Sequence, residues 1–239
     1  RLLKSRPYFA SQMVMAGDAD GFVGGVSRNY DDVLRPTLEV IGADEKAHCV
    51  VGCYMMNVKG RTIFLADATV NVYPDSRTLA EIAVQTAKVA RRFGVAPKVA
   101  MLSFSNFGSS RAQRSERIED AIEFARELDP SLVIDGPMQA DTALNGAVQS
   151  EYPFMDFKGP ANVLVLPNLA AANIAYKLLE ELGDAEMTGP ILEGMDKPVQ
   201  LVARQDGVRH IVNMAAICAA DALRQDSYWE TLVTPSTGS

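Results

Sequence analysis

The stretch 98–128, KVAMLSFSNFGSSRAQRSERIEDAIEFAREL, contains the pattern that decides the fold class. Its short apolar run, KVAMLS, predicts a strand, and the Ser- and Gly-rich FSNFGSS that follows predicts a loop. The amphipathic remainder, RAQRSERIEDAIEFAREL, predicts a long helix. A strand, a loop and a helix in this order form the repeating unit of α/β proteins.

The same unit recurs on both sides of this stretch. SLVID (131–135) precedes the helical MQADTALN (138–145), and ANVLVLP (161–167) precedes NLAAANIAYKLLEEL (168–182). Upstream, SRTLAEIAVQTAKVARRFG (76–94) predicts a helix that ends at its final glycine. We therefore predict an α/β protein with mainly parallel sheets and helices on both faces.

Three other regions depart from this alternation. CVVGCYMMNV (49–58) and RTIFLADATV (61–70) are apolar segments joined by the dipeptide KG, which predicts a β-hairpin. Residues 1–40 and 196–239 each offer too few elements to close a sheet, so we expect the two ends to complete one outer domain around a central one. Because the sequence begins at Arg1 and not at a methionine, we also expect a fragment of a longer protein.

Composition limits the class of protein further. The 239 residues carry a formal net charge of -7, which argues against a general nucleic-acid-binding surface, since such a surface needs clustered Lys and Arg. No apolar run reaches the roughly 18 residues of a membrane helix, and no signal peptide is visible. Three scattered cysteines, Cys49, Cys53 and Cys218, predict neither a disulfide framework nor a zinc site, and they fit a cytoplasmic protein.

The loop FSNFGSS, which follows the strand predicted for KVAMLS, is the best local candidate for a binding site. A strand that ends in hydroxyl residues before a helix N-terminus presents free backbone N–H groups to an anion. Gly108 would allow a ligand to approach the backbone closely, and Arg111 and Arg114 would supply positive charge. The side chains that would add hydrogen-bond donors are Ser103, Ser105, Asn106, Ser109 and Ser110. The alternative is an ordinary turn with hydroxyl capping, and the loop matches neither the P-loop nor the dinucleotide fingerprint.

Two pairs of charged residues are further candidates. Arg28 and Arg35 could contact an anion, although a surface ion pair with a neighbouring aspartate is the alternative. Asp135 and Asp141 follow a predicted strand and could act as acid and base. Their alternative roles are turn former and helix cap, because Asp135 is followed by Gly-Pro, a strong turn signal.

The last candidates lie in NLAAANIAYK and in the C-terminal QLVARQDGVRH. Asn173 and Lys177 are four residues apart and share a helix face, while Asn168 is expected to cap that helix. Arg204 and His210 could bind or polarise a ligand, but QLVARQDGVRH contains no serine or cysteine that could act as a nucleophile. The alternative for His210 is a surface residue at a helix start.

Taken together, six segments resemble the phosphate acetyltransferase and butyryltransferase family. They are DADGFVGGVSRNYDDVLRP, NVYPDSRTLAEIAVQTAKVARRFG, KVAMLSFSNFGSS, IDGPMQADTALN, ANVLVLPNLAAANIAYKLLEELG and GPILEGMDKPVQLVAR, in the family's order over residues 7–222. Within the family, the nearest resemblance is to the C-terminal domain of the bacterial hybrid NADP-dependent malic enzymes, through DADGFVGGVSRNYDDVL with Arg28 and Asn29.

The resemblance implies a two-domain α/β fold like that of isocitrate and isopropylmalate dehydrogenases. It implies an inserted domain over residues 41–195, through which family members dimerise. The outer domain would be built from residues 1–40 and 196–239, and its first part would be missing from this chain.

The resemblance also implies a chemistry. True phosphotransacetylases join CoA and acetyl phosphate, using a Ser-Arg pair for the acyl phosphate and an aspartate, seven residues after the serine, as base for the thiol. At the matching positions this sequence has Ala203, Arg204 and His210. The guanidinium is kept, whereas the hydroxyl and the carboxylate are replaced, so we assign no catalytic residue.

The leading hypothesis is therefore a catalytically silent phosphotransacetylase-like domain that binds acetyl-CoA and regulates an upstream malic enzyme domain. That domain would convert malate to pyruvate and CO2 with NADP and a divalent metal. The expected contacts of the acyl-CoA and its phosphates are Arg204, Ser103, Ser105, Asn106, Gly108, Ser109, Arg28, Asn173 and Lys177. The alternatives are a working phosphate acetyltransferase with His210 as base and a module that serves only oligomerisation. We expect a cytoplasmic homo-oligomer, at least a dimer, with no metal, nucleic-acid or membrane site in this chain.

Overall fold

The computed structural model describes residues 2–108 and 114–233, and these form two compact units. The first unit contains the residues up to Glu45 and those from Met195 onward, and the second contains Lys46–Gly194. Both ends of the chain thus contribute to one unit, and the central segment forms the other. None of the described helices is both long and apolar enough to span a membrane.

In chain order, the described elements begin with a 3₁₀ turn, Leu2–Lys4. The turn is followed by α1 (Arg6–Ala16), β1 (Phe22–Gly25), α2 (Asp31–Val40), β2 (Val51–Val58), β3 (Arg61–Ala66), α3 (Ser76–Arg92), β4 (Val99–Leu102), α4 (Arg114–Leu128), β5 (Ile134–Met138), α5 (Ala140–Leu144), α6 (Gly146–Gln149), β6 (Val163–Val165), α7 (Leu169–Gly183), β7 (Glu186–Glu193), β8 (Val199–Val202) and α8 (Val208–Val233). In the first unit, β1 and β8 form a two-stranded parallel sheet.

The second unit holds a six-stranded sheet in the order β5-β4-β6-β3-β2-β7. β5, β4, β6 and β3 run parallel, whereas β2 is antiparallel to both β3 and β7. The predicted α/β class with a mostly parallel sheet is confirmed. The predicted hairpin is β2–β3, whose turn is formed by Lys59 and Gly60 with φ of 50° and 75°, as a two-residue turn of positive φ requires.

Helices cover both faces of this sheet. Successive residues of a strand point to opposite faces, so neighbouring residues of β3 contact different helical segments. In β3, Ile63 and Leu65 share a buried cluster with Tyr176 of α7. Phe64, which lies between them, packs its ring 6.1 Å from that of Phe93, the C-cap residue that follows α3. The alternation of buried residues in one strand thus anchors α7 on one face and α3 on the other.

The segment IDGPM departs from the sequence prediction. Gly136 and Pro137 lie inside β5 and not in a turn. Gly136 has a φ of 143°, and it lies where β5 approaches the neighbouring strand β4 closely. A Cβ at Gly136 would lie 2.6 Å from the carbonyl oxygen of Met101 on the neighbouring strand. The predicted helix over 138–145 is correspondingly shorter, since Met138 still belongs to β5.

Candidate functional site

The carboxyl ends of the two parallel strands bring Arg28 and Arg204 to one edge of the first unit. Gly25 lies opposite Val202 at the last paired position of β1 and β8. Arg28 follows β1 and Arg204 follows β8, and both side chains are exposed. Because parallel strands end at the same edge of a sheet, the structure places these two predicted anion contacts on the same side.

Gly25 permits this close pairing. Its φ is 140°, and a Cβ at this position would lie 1.7 Å from the carbonyl oxygen of Val202. The next residue, Val26, donates its N–H to the same carbonyl at 3.4 Å. A side chain at Gly25 would therefore separate the two strands that hold the arginines.

Asp206 connects the two positions at which the sequence departs from the family pattern. Its Oδ2 accepts the backbone N–H of Ala203 at 2.6 Å and lies 3.4 Å from Nε2 of His210. The His210 and Asp206 side chains are 17% and 18% exposed, and the buried Nε2 has no hydrogen bond among the described residues. The Asp206 carboxylate thus lies close enough to attract a protonated imidazole, although no hydrogen bond joins the two side chains.

Sequence reasoning did not select Asp206 as a functional residue. The available signal was its spacing of four residues from His210, which places both side chains on one face where a helix begins. Asp206 itself lies just before α8, outside the apolar pattern that predicts this helix.

Arg35, in contrast, already has a partner. Its Nε donates to Oε1 of Glu39 at 2.7 Å, and the hydroxyl of Tyr8 donates to the same carboxylate. The hydrogen bonds from Tyr8 and then Arg35 lower the pKa of Glu39 below its ordinary value. The ion-pair alternative therefore describes Arg35, with Glu39 as partner in place of Asp31 or Asp32.

In the second unit, the loop after β4 is fixed to the end of β5 by its backbone. The N–H of Ser103 donates to the carbonyl of Met138 at 2.8 Å, and the N–H of Phe107 donates to the carbonyl of Pro137 at 2.7 Å. Phe107 has a φ of 46°, an uncommon value for a side chain of this size. These two backbone N–H groups are therefore not free for a ligand.

The hydroxyl and glycine residues of this loop differ in exposure. Ser105 is buried, and its Oγ has no hydrogen bond within the part of the chain that the structure describes. Gly108 is exposed with a φ of 70°. Ser109, Ser110 and Arg111 lie outside the described residues, so the anion-binding role of the loop stays a prediction.

The side-chain amide of Asn106 braces the loop. Its Oδ1 accepts the backbone N–H of Gln139 at 2.7 Å, while its Nδ2 donates to Oε1 of Gln139 at 3.2 Å and to the hydroxyl of Tyr152 at 3.1 Å. Gln139 donates in turn from Nε2 to the carbonyl of Phe104 at 2.9 Å. Both amide protons of Asn106 are thus used within the protein.

The two carboxylates considered as acid and base serve the local backbone. Asp135 accepts the N–H groups of Gly136 and Asp156, each at 2.8 Å, and burial raises the pKa of Asp135 above its ordinary value. Asp141 accepts the N–H of Thr142 at 2.9 Å at the start of α5. Both carboxylates thus bond to nearby backbone, but neither has the alternative role expected of it, since Asp135 lies inside β5 and Gln139, not Asp141, is the N-cap of α5. No contact pairs the two as acid and base among the described residues.

On α7, Asn168 caps the helix as expected, because its Oδ1 accepts the N–H of Ala171 at 2.9 Å. Asn173 is half-buried, and Lys177 is exposed with its Nζ 5.1 Å from the ring centroid of Tyr176. Among the described residues, no hydrogen bond or ion pair joins Asn173 or Lys177 to the loop after β4. Their role in ligand binding therefore stays a prediction.

The three cysteines are poor nucleophiles. Burial raises the pKa of Cys49 to about 12 and that of Cys218 to about 11, and it raises the pKa of the fully buried Cys53 as well. Thiols with such pKa values stay protonated near neutral pH. Across residues 2–108 and 114–233, no three His, Cys, Asp or Glu side chains gather as a metal site would require.

Comparison with known sequences identifies the group to which this chain belongs. The sequence matches the family described as Phosphate acetyl/butaryl transferase over residues 1–219. The NADP-dependent malic enzyme of Rhizobium meliloti is 42% identical over 217 residues, which cover 91% of this chain and 28% of that enzyme. The phosphate acetyltransferase of Bacillus subtilis is 39% identical over 224 residues, which cover 93% of this chain and 69% of that enzyme.

A solved structure supports the same family assignment. A phosphotransacetylase from Streptococcus pyogenes superposes with a TM-score of 0.86 and 37% identity, over 91% of this chain and 67% of that one. The chain thus spans just over a quarter of the malic enzyme and about two thirds of the acetyltransferases that it matches. The fold, the family match and these relatives agree that the chain belongs to the phosphate acetyl/butyryl transferase family.

Proposed function

We propose that this chain is a phosphotransacetylase-like region that binds an acyl-CoA and does not transfer the acyl group. The observation that carries the proposal is Ala203, which places a methyl group beside Arg204 where the family resemblance implies a serine hydroxyl. Loss of one hydrogen-bond donor to a transition state costs about 3 kcal/mol, or roughly two orders of magnitude in rate. The exposed guanidinium of Arg204 still suits a phosphate, so binding is retained where transfer is lost.

We further propose that bound acetyl-CoA regulates an NADP-dependent malic enzyme of which this chain is a part. The identity to the Rhizobium meliloti malic enzyme over most of this chain supports the proposal. Such a parent would convert malate to pyruvate and CO2, with its NADP and divalent metal held by residues outside this sequence. Regulation requires acetyl-CoA to prefer one conformation of the parent, and typical couplings of this kind are about 1 to 3 kcal/mol.

The assembly and the arrangement of the units belong to the same proposal. We propose a cytoplasmic homo-oligomer, at least a dimer, with the two-domain arrangement of isocitrate and isopropylmalate dehydrogenases. A surface of α7 supports self-association, because Ile174, Leu178 and Leu182 are 60%, 53% and 81% exposed and follow one another at four-residue spacing. An apolar stripe of this kind on a helix is typical of a protein interface.

Calorimetric titration of the purified chain with acetyl-CoA tests binding directly. We expect saturable binding that is weakened when Arg204 is replaced by alanine. In the full-length parent, acetyl-CoA should alter the malate kinetics, and it should lose this effect in the same variant. Absence of binding heat together with unchanged malate kinetics would contradict the proposal.

A second candidate function, phosphate acetyltransferase, is favoured by the contact between Asp206 and His210. In that reaction the sulfur of CoA attacks the carbonyl carbon of acetyl phosphate, the bond from that carbon to the phosphate oxygen breaks, and phosphate leaves. His210 would accept the thiol proton through Nδ1, since Asp206 faces its other nitrogen. Thioester formation by the purified chain, lost in His210→Ala, would establish this function.

A further inference from the structure

Asp206 closes the short turn that follows β8. Its Oδ2 accepts the backbone N–H of Ala203 at 2.6 Å, and its own backbone N–H donates to the carbonyl of Ala203 at 3.3 Å. Both backbone polar groups of Ala203 are thus bonded to Asp206. The carboxylate occupies the place that an oxygen of a ligand would need in order to accept the N–H of Ala203.

The carboxylate is held against the protein, although the turn itself is open. The side chain of Asp206 is 18% exposed, and the same Oδ2 lies 3.4 Å from Nε2 of His210. The next residue, Gly207, is exposed, and a Cβ added to it would meet no atom within 4 Å. A small ligand therefore has room beside the turn, and what opposes an anion there is the charge of Asp206.

Arg204 belongs to the same turn and carries the opposite charge. Its side chain is exposed, and a guanidinium at the end of a long side chain can take a phosphate at a distance from the backbone. The turn thus combines a positive charge that faces solvent with a negative charge bonded to the backbone. An anion at the outer end of Arg204 and an anion at the N–H of Ala203 would meet different surroundings.

We propose that Asp206 is a specificity-determining residue that makes this turn select against a small phosphoryl anion, such as inorganic phosphate or an acyl phosphate. The inference rests on the acyl-CoA binding proposed above and names a substrate class that the same site disfavours. A phosphoryl group at the backbone would have to displace the carboxylate from the N–H of Ala203, and it would be repelled by that carboxylate at close range. A phosphate of an acyl-CoA at the outer end of Arg204 meets neither obstacle.

Two separate physical causes would then oppose acyl transfer. Ala203 lacks a hydroxyl, which slows the reaction of a bound acyl phosphate. Asp206 lowers the fraction of the chain that holds an acyl phosphate at all. A higher concentration of acyl phosphate compensates for the second cause and not for the first.

The test is a calorimetric titration of the whole chain with inorganic phosphate. Asp206→Asn removes the charge but keeps an oxygen that can accept the N–H of Ala203, so the affinity for phosphate should rise by about tenfold. Asp206→Ala removes both the charge and the acceptor, and its affinity should rise by about a hundredfold. The matched control is Asp18→Asn, which removes one charge from an exposed residue at the opposite edge of this sheet, before β1. Its affinity should stay within about twofold of the native value, because a distant exposed charge is screened.

Acetyl-CoA serves as the second ligand in the same titrations. Both Asp206 variants should change the affinity for acetyl-CoA less than the affinity for phosphate. An equal rise for the two ligands would show a general effect of charge and would overturn the inference. Unchanged phosphate affinity in Asp206→Asn would overturn it as well, and this variant decides the question even if Asp206→Ala does not fold, because it preserves the bond that closes the turn.

Failure of this inference differs from failure of the proposed function. If acetyl-CoA binds to the native chain and phosphate binds equally to the native chain and to the Asp206 variants, acyl-CoA binding stands and the role of Asp206 is wrong. If acetyl-CoA does not bind but the affinity for phosphate rises in both Asp206 variants, the proposed function fails and the discrimination by Asp206 stands.

Discussion

At the carboxyl edge of β1 and β8, Arg28 and Arg204 are exposed, and within the described residues neither makes a hydrogen bond or an ion pair. At the carboxyl edge of β4 and β5, by contrast, Asn106 and Gln139 satisfy each other and brace the loop. The first edge thus presents exposed charge, and the second presents a fixed surface. Charge that is not yet paired is suited to recruiting phosphate, whereas a braced surface is suited to recognising shape.

The first prediction tests the pairing of β1 with β8, whose carboxyl ends carry Arg28 and Arg204. Gly25→Ala should destabilise the protein by about 3 kcal/mol or more, because the new Cβ would meet the carbonyl oxygen of Val202. Urea unfolding measures the loss. Gly17→Ala is the matched control, because its φ of 79° is also positive but no atom lies within 4 Å of the new Cβ. We expect that control to cost about 1 kcal/mol, and equal losses in the two variants would contradict the close approach at Gly25.

The second prediction removes the brace of the other edge. Asn106→Ala should lower the free energy of unfolding by about 2 kcal/mol, because the N–H of Gln139 and the hydroxyl of Tyr152 lose their partner. Asn57→Ala provides the comparison, since Asn57 is an exposed residue of β2. Its unfolding free energy should change by less than about 0.5 kcal/mol. An Asn106→Ala variant as stable as the Asn57→Ala variant would show that the loop does not depend on this amide.

The third prediction concerns affinity, and its effect is smaller. Arg204→Ala should weaken acetyl-CoA binding by about tenfold, or about 1.4 kcal/mol, because one phosphate contact is removed. Arg35→Ala should leave the affinity unchanged, since that guanidinium is already paired with Glu39. If the two variants weakened binding equally, a general loss of positive charge would explain the result better than a site at Arg204.

Local patterns in the sequence were sufficient for much of the fold. The strands and helices around 98–128 and the β2–β3 hairpin follow from apolar periodicity and from the KG turn. β7 was not predicted, and β5 was cut short, because each contains a Gly-Pro pair that normally indicates a turn. In the structure, Gly136 and Gly189 have φ of 143° and 134°, and each lies where a neighbouring strand leaves no room for a side chain. Such an approach depends on the partner strand, which the local sequence does not specify.

The candidate sites were predictable to different degrees. Arg28 and Arg204 share an edge only because β1 and β8 pair in parallel across most of the chain, so their proximity depends on topology. Asp206 and His210 could have been paired from their spacing alone. The contact of Asn106 with Tyr152 joins residues 46 positions apart and has no local signature. Contacts between distant segments are set by tertiary packing, which composition and periodicity do not encode.

The most direct test of retained binding without transfer measures thioester formation from CoA and acetyl phosphate by the purified chain, beside calorimetry with acetyl-CoA on the same preparation. We predict that acetyl-CoA binds and that no thioester forms above background. Restoring the implied hydroxyl and carboxylate by Ala203→Ser with His210→Asp should raise the rate by about a hundredfold or more over either single variant. Rapid thioester formation by the unmodified chain, abolished by His210→Ala, would contradict the claim that the chemistry has been lost while binding is retained.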